Sequence, residues 1–419
     1  MEEQERLSLD GLPVYSISLS PPNRCLKRLL HVSDTIVSLL IITPLAVAHW
    51  RGTWTFMDSH EDIFPAWHCF LLGSVLHTAF ALLRESLHEE FSSTRGTKSI
   101  CRTIQRFIIS KIYTYIFSIA CILQWRGGWA VLDLHFGHGA NTAIIVTIVT
   151  FVILVSIRCV RNTLAPPFVI IMDYKDSVFI FPTRFRIEGV HKPGLYVLDC
   201  AFSVLGVGSL VVFVWRGVWL LTDIFIFPLD KELSAYFSLA IGYGTVVFIF
   251  AIQPLMRWTC ERLDGFWRVA ATDVFLTLSF IGTVNIWRGV WYTIDIYFLP
   301  ESKVESIWIT HGVSLILLAL LNCSNSVLLR GVYIDAEEPA GQCVVFPVYY
   351  IRQLFQKERS RKQKRLLNSL ERQDNNTILL IEDPSNSTIA NSRKCEKNLK
   401  NNSTSNEQQV SKFSLGNNN

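Results

Sequence analysis

Four ionisable residues stand inside otherwise apolar stretches of this 419-residue chain: Asp34, Lys111, Asp199 and Asp273. Charge is costly within a bilayer, so such groups are default candidates for coupling to an ion or substrate. Asp34 and Asp199 each stand 16 residues before a tryptophan of a repeated motif, and Lys111 and Asp273 stand 14 before theirs. Sixteen residues of helix span about 24 Å, which places these groups near the inner ends of their spans. One acid of the fourfold pattern is thus replaced by a base, and one reading is an Asp/Lys network at a cytosolic mouth. The other is simpler: acids in the first turns of a helix are favoured by its macrodipole. His77 and His311 are isolated on apolar helices and are expected to pack or bond locally.

The motif is W-R-G-x-W-x-x-x-D. It occurs as Trp50, Arg51, Gly52, Trp54, Asp58; as Trp125, Arg126, Gly127, Trp129, Asp133; as Trp215, Arg216, Gly217, Trp219, Asp223; and as Trp287, Arg288, Gly289, Trp291, Asp295. Five fixed positions in four copies mark an internal repeat. Tryptophans at i and i+4 share a helix face, and at a membrane surface such a pair makes an aromatic anchor. The arginine can snorkel or stack on a ring. The glycine permits close approach of a neighbouring helix. Arg and Asp, seven residues apart, can brace one repeat or tie it to the next. The alternative is a ring of four arginines lining an outer vestibule and selecting anions.

These residues must be positioned by helices in lipid. Half the residues are hydrophobic and 18% are charged, and the apolar runs are long enough for a bilayer core of about 30 Å. The expected fold is an all-α polytopic membrane protein with eight transmembrane helices: Leu29–His49, Ala66–Leu83, Phe107–Gln124, Asn141–Ile157, Leu195–Val214, Ser234–Leu255, Val269–Ile286 and Ser306–Leu328. Lys and Arg concentrate in the 2–3, 4–5 and 6–7 loops. By the positive-inside rule both termini are cytoplasmic and all four motifs face outside. The sequons at Asn375, Asn386, Asn401 and Asn402 then lie on the wrong side for glycosylation, and Asn322-Cys323-Ser324 falls inside the last span.

Each repeat is a parallel helix pair, and a longer period of 162–165 residues groups the pairs into two four-helix halves. The domain reading is a cytosolic segment at 1–28, a first half at 29–194 with an appendage at 168–187, and a second half at 195–355 with an appendage at 332–351. Both appendages, rich in Val, Ile, Tyr and Phe, are read as small cytosolic hairpins. A tail follows at 356–419. Its basic cluster, Lys357 to Arg365, suits anionic inner-leaflet lipids or an ordinary solvated flank. The Asn- and Ser-rich stretch from Asn368 onward, like the first 25 residues, is expected to be disordered.

Ten cysteines without CxxC spacing argue against a disulfide framework or zinc site. No phosphate loop, HExxH helix or nucleophile elbow is present, so no enzyme, cofactor or metal is expected. A formal net charge of +4 gives no reason to invoke nucleic acid. Two functions stay open on these grounds: a membrane organiser acting through its cytosolic parts, or a transporter or channel with its site between the pseudo-symmetric halves. Pro44, Gly206 and Gly208 are the mid-span breakers that such a transporter would use.

Four W-R-G-x-W-x-x-x-D copies closing alternate spans over residues 25–355 resemble the Fuseless family of invertebrate membrane proteins. The resemblance implies a non-enzymatic, multi-pass protein of the plasma membrane, at the presynaptic active zone, that helps organise voltage-gated calcium channels for transmitter release. Its implied partners are calcium-channel subunits or active-zone scaffold proteins. The motif positions are the residues that carry over.

Overall fold

The computed structural model describes residues 24–93, 100–173, 178–189 and 192–381. Regular structure among them is helical, with no strand. Seven of the described helices are long and apolar enough to cross a membrane: α1 (Arg28–Asp58), α2 (Ala66–Phe91), α3 (Ile104–Phe136), α5 (Pro193–Phe225), α6 (Lys231–Cys260), α7 (Gly265–Tyr297) and α8 (Lys303–Leu320). An eighth apolar helix, α4 (Ala140–Ser156), stands at the place of the expected fourth span but has 17 residues. That is about 26 Å of helix, shorter than a typical hydrocarbon core.

Helix ends differ from expectation for local reasons. The expected last span reaches Leu328, yet α8 stops at Leu320. Asn322 takes a left-handed φ of 55°, and the Cys323 N–H reaches back to the Leu318 carbonyl at 2.9 Å. That is a Schellman-type stop. Arg158 (φ 54°) ends α4 in the same way, with Cys159 N–H to Leu154 O at 2.8 Å. At the motif end the reverse holds. The helices do not close at W-R-G but continue through it to Asp58, Phe136, Phe225 and Tyr297. Wide π turns interrupt α1 at Ser38–Ile42, α5 at Phe202–Val207 and α8 at Ile309–Val313. The first is followed by Pro44, which has no N–H to give, and the second by Gly208.

The most extensive helix contacts are α2 with α3, α4 with α5, α6 with α7, and α8 with α1. Each return helix therefore lies against the motif helix of the next repeat, and the last lies against the first. The ring closes. The motif helices α1, α3, α5 and α7 bury a larger share of their surface than α2, α6 and α8, so they form the inner layer.

The appendages are not hairpins in the described residues. Each is preceded by a short 3-10 turn, Val160–Thr163 or Ser324–Val327, and runs as extended chain and turns. Their backbone groups bond across the halves: Asp173 N–H to Asn322 O, Asp335 N–H to Arg158 O and Val332 N–H to Pro182 O, each at 2.8 Å. A buried strand-like segment needs partners for its main chain, and each finds them in the other half. Residues 174–177, the tip of the first expected hairpin, lie outside the described residues. Residues Arg28–Ile351 make one compact unit.

The helix α9 (Tyr350–Ile381) carries the basic cluster and runs on past Asn368, into the stretch expected to be disordered. Arg, Lys, Gln, Glu and Leu favour helix up to Leu367, and the helix continues from there through Leu370, Glu371 and Arg372. The expected disordered segments at 1–23 and 382–419 lie outside the described residues.

Candidate functional site

The four copies of the motif meet at the centre of the bundle. Trp50, Trp125, Trp215 and Trp287 form a closed cycle of edge-to-face indoles, with successive ring centroids 5.3, 5.5, 5.6 and 5.7 Å apart. One helical turn on, Trp54, Trp129, Trp219 and Trp291 form a second cycle at 5.6, 5.8, 5.8 and 5.9 Å. Edge-to-face contact sets the positive rim of one ring against the negative face of the next. Four rings can satisfy this all the way round. The inner tetrad is buried and the other half-buried, so the aromatic-anchor expectation is corrected: these indoles face one another. The N–H groups of Trp50, Trp215 and Trp287 donate to the carbonyls of Val327, Thr163 and Pro166 at 2.8–2.9 Å. Those acceptors belong to the 3-10 turns and the chain that leads into the appendages, which thereby close the bundle beneath the tetrad.

The polar motif residues link neighbouring repeats. Arg51 pairs with Asp295, Arg126 with Asp58, Arg216 with Asp133 and Arg288 with Asp223, with N–O distances of 2.6–2.8 Å. Each arginine takes the aspartate of the preceding repeat, and the first takes that of the last. The guanidinium side chains are 1–7% exposed and the carboxylates 27–48%. Further donations go to the Ser306 hydroxyl, the Phe64 and Gly137 carbonyls, and Ser234 and Ser238. The arginines are buried and paired, so they do not line an open vestibule, and the anion-selecting ring is also corrected.

The motif glycines complete each joint. A Cβ at Gly52, Gly127, Gly217 or Gly289 would lie 2.5, 2.2, 1.8 or 2.7 Å from atoms of α8, α2, α4 or α6 respectively. The obstacle at Gly127 is the backbone of Phe70, which cannot swing aside. Gly127→Ala is therefore expected to destabilise the protein by about 1–3 kcal/mol through overpacking. At Gly244 of α6 a Cβ meets nothing within 4 Å, and Gly244→Ala is expected to be neutral or to gain up to about 1 kcal/mol of helix propensity. Thermal unfolding of both variants in detergent checks the contrast.

The four candidate charges are tied to the appendages. Asp199, 1% exposed, accepts from the Thr183 hydroxyl at 2.7 Å and from the N–H groups of Phe185 and Ile187 at 2.9 and 3.1 Å. Asp34, fully buried, accepts from the Ile351 N–H. These equivalent acids anchor the ends of equivalent appendages. Lys111 pairs with Asp173, whose oxygens also accept from Ser324 N, Ser324 Oγ, Asn325 N and Asn325 Nδ2 at 2.7–3.0 Å. In the other half, Asp335 accepts from Val160 and Arg161 N–H at 2.7 and 2.8 Å. Each half thus caps the 3-10 turn of the other. Where Lys111 would stand the chain has Asp273, which leaves its own Oδ1 without a partner.

Burial pushes the Asp335 carboxyl above its ordinary value, against the pull of its two N–H donors and nearby arginines. On the exposed rim, the pairing with Arg186 holds Glu337 below its own. Burial raises the Cys159 and Cys323 thiols to about 11 and about 12, so both remain protonated and inert near neutrality. No cluster of metal-ligating side chains occurs among the described residues.

A chain with this repeated, ring-closing motif can be placed by comparison. The Fuseless family model matches residues 29–328. The chain belongs to the Fuseless family. No curated protein and no solved structure matches it. The match covers the bundle from α1 through the second 3-10 turn.

Several participants carried no repeat signal. Gln124 of α3 accepts from His77 Nδ1 at 2.8 Å and donates to Val204 O at 2.9 Å. His49 bonds the His311 carbonyl at 2.9 Å and stacks on its ring at 5.1 Å. The position of His49 next to Trp50 was the one available clue, since any side chain beside the tetrad must bury its polar atoms. His77 and His311 bond side chains of neighbouring helices, Gln124 and Thr53, each at 2.8 Å.

Proposed function

We propose that this chain is a non-enzymatic multi-pass protein of the plasma membrane, at the presynaptic active zone, that organises voltage-gated calcium channels, with both termini in the cytoplasm. Family membership supports this reading, and one observation favours it over transport: the bundle axis is filled by two stacked tryptophan tetrads. Two of the carboxylates that could have coupled to a solute, Asp34 and Asp199, are engaged by backbone N–H groups instead. A closed, densely packed ring suits a rigid platform. Its basic helix, exposed over most of residues 354–369, and the appendage rims are the surfaces left for channel subunits, scaffold proteins or anionic lipids.

Truncation after Arg365, combined with charge reversal at the exposed Arg186 and Glu337, tests this. Calcium-channel clusters imaged at active zones are expected to disperse while the truncated protein still reaches the membrane. Normal clusters would remove the organiser reading.

A further inference from the structure

Beneath the inner tetrad lies a cavity of about 350 Å³, reaching from Trp125, Gln124 and His77 to the exposed Tyr333 and Glu338 of the second appendage. Arg330 lines it. This side chain belongs to a residue only 9% exposed, and no carboxylate among the described residues pairs with it. Its Nη1 donates to the Tyr113 hydroxyl at 3.2 Å, and the guanidinium lies 5.4 Å from the Phe181 ring centroid. A buried guanidinium with so little compensation is costly. The fold does not require it.

The pseudo-symmetry of the two halves makes that last point. Gly73 and Gly242 are counterparts: a Cβ on one would meet Gln124 N at 2.3 Å, and on the other Ile286 N at 2.6 Å. His77 and Val246 follow these glycines by four residues each, so His77 corresponds to Val246 and Gln124 to Ile286. Arg158 and Asn322 stop their helices in the same left-handed turn, and Thr163 and Val327 beyond them accept from the equivalent indoles of Trp215 and Trp50; in that register Arg330 corresponds to Pro166. One side of the ring therefore builds its core from Val246 and Ile286 with Pro166 of the exchanged segment. The other places an imidazole, an amide and a guanidinium there, around a cavity. The tetrad follows suit. Trp287 donates its N–H to Pro166 O, whereas Trp125, its counterpart, has no protein acceptor among the described residues and lines the cavity.

We infer that this cavity is a binding site for the carboxylate of a small organic acid. The Arg330 guanidinium supplies one positive charge and a two-pronged donor, which matches a single carboxylate. The Trp125 N–H is a second donor. His77 gives its Nδ1–H to the Gln124 Oε1, so its Nε2 is an acceptor and adds no donor for a carboxylate. Arg161, the other cationic lining residue, donates to the carbonyls of Cys343 and Val345 at 3.3 and 3.4 Å. One uncompensated cation inside and Glu338 at the mouth disfavour a dianion. Val207, Val211, Phe181 and Leu328 receive the apolar body.

The full chain, purified in detergent, tests this with benzoate and butyrate as probes and butyl phosphate as comparison. Both carboxylates are expected to raise the unfolding temperature in a concentration-dependent way by about 10 mM, a level that registers even weak binding. Arg330→Met removes the buried cation and is expected to fold at least as well while losing the response. Trp125→Phe keeps the ring cycle, loses the donor, and is expected to weaken binding about tenfold, the equivalent of one hydrogen bond. The inference fails if neither carboxylate stabilises the chain, if both variants respond as the parent does, or if butyl phosphate binds more tightly than butyrate. Nanodiscs separate the sources of a carboxylate. An undiminished benzoate response in phosphatidylserine discs supports a soluble acid. Its loss there, with retention in phosphatidylcholine discs, would assign the site to the lipid headgroup instead.

Discussion

Trp50→Ala is expected to cost about 3–5 kcal/mol, the range for truncating a fully buried large aromatic, and to abolish cooperative unfolding of the bundle near physiological temperature. Trp50 is 2% exposed and holds two ring neighbours, Trp125 at 5.3 Å and Trp287 at 5.7 Å. Removing it opens the cycle at the point where the last repeat meets the first. Its N–H bond to Val327 O also disappears, freeing the carbonyl at the end of the second 3-10 turn. Trp50→Phe separates these contributions. The aromatic contact is largely kept and the hydrogen bond is lost, so a cost of about 1–2 kcal/mol is expected. As a control, Trp267 is 69% exposed, and Trp267→Ala is expected to change stability little. Thermal unfolding in a fixed detergent, followed by near-UV circular dichroism, reads all three. Equal losses for Trp50→Ala and Trp267→Ala would show that the tetrad is not a keystone.

Repetition was legible in the sequence, and the direction in which it faces was not. A Trp pair at i and i+4 ending an apolar run fits a headgroup anchor and a central stack equally well, because the indole is amphipathic in either place. The signal that separates them is distributed: Gly127 needs Phe70 backbone beside it, and Arg126 needs Asp58 from the previous repeat. Closure around a ring is not a property of any single copy. The same holds for Asp34 and Asp199. Their periodic placement was visible, but their partners are main-chain N–H groups of Ile351, Phe185 and Ile187, which no side-chain pattern announces. Asn322 did carry a signal. Asn tolerates the left-handed conformation, so a helix end just before it was open to prediction. The apolar residues that follow masked it, because Val327 and Leu328 are buried in the appendage and not in the span.

Asp173→Ala is the second large effect, and it tests whether the two halves are held together by exchanged caps. The carboxylate, 5% exposed, receives the N–H groups of Ser324 and Asn325, two of their side-chain donors and the Lys111 ammonium. Truncation leaves a mostly buried lysine with only the Ser324 hydroxyl, at 3.1 Å, and two main-chain donors without an acceptor. Breaking a buried pair from one side typically costs about 3–5 kcal/mol; Lys111 remains 19% exposed, so the lower part of that range is expected. Asp173→Asn keeps an acceptor but not the charge and is expected to fall between. Replacing both partners, Lys111→Met with Asp173→Ala, removes the stranded cation and is expected to recover part of the loss, because the remaining cost is that of the 3-10 turn alone. A double-mutant cycle on unfolding free energies isolates the pair. Asp335→Ala supplies the comparison, since that acid caps Val160 and Arg161 but faces Asp273 rather than a lysine. Its truncation removes the cap but strands no buried lysine, and the expected loss is smaller than for Asp173→Ala. Equal losses at the two sites would mean that the backbone caps, and not the Lys111 pairing, dominate the join between the halves.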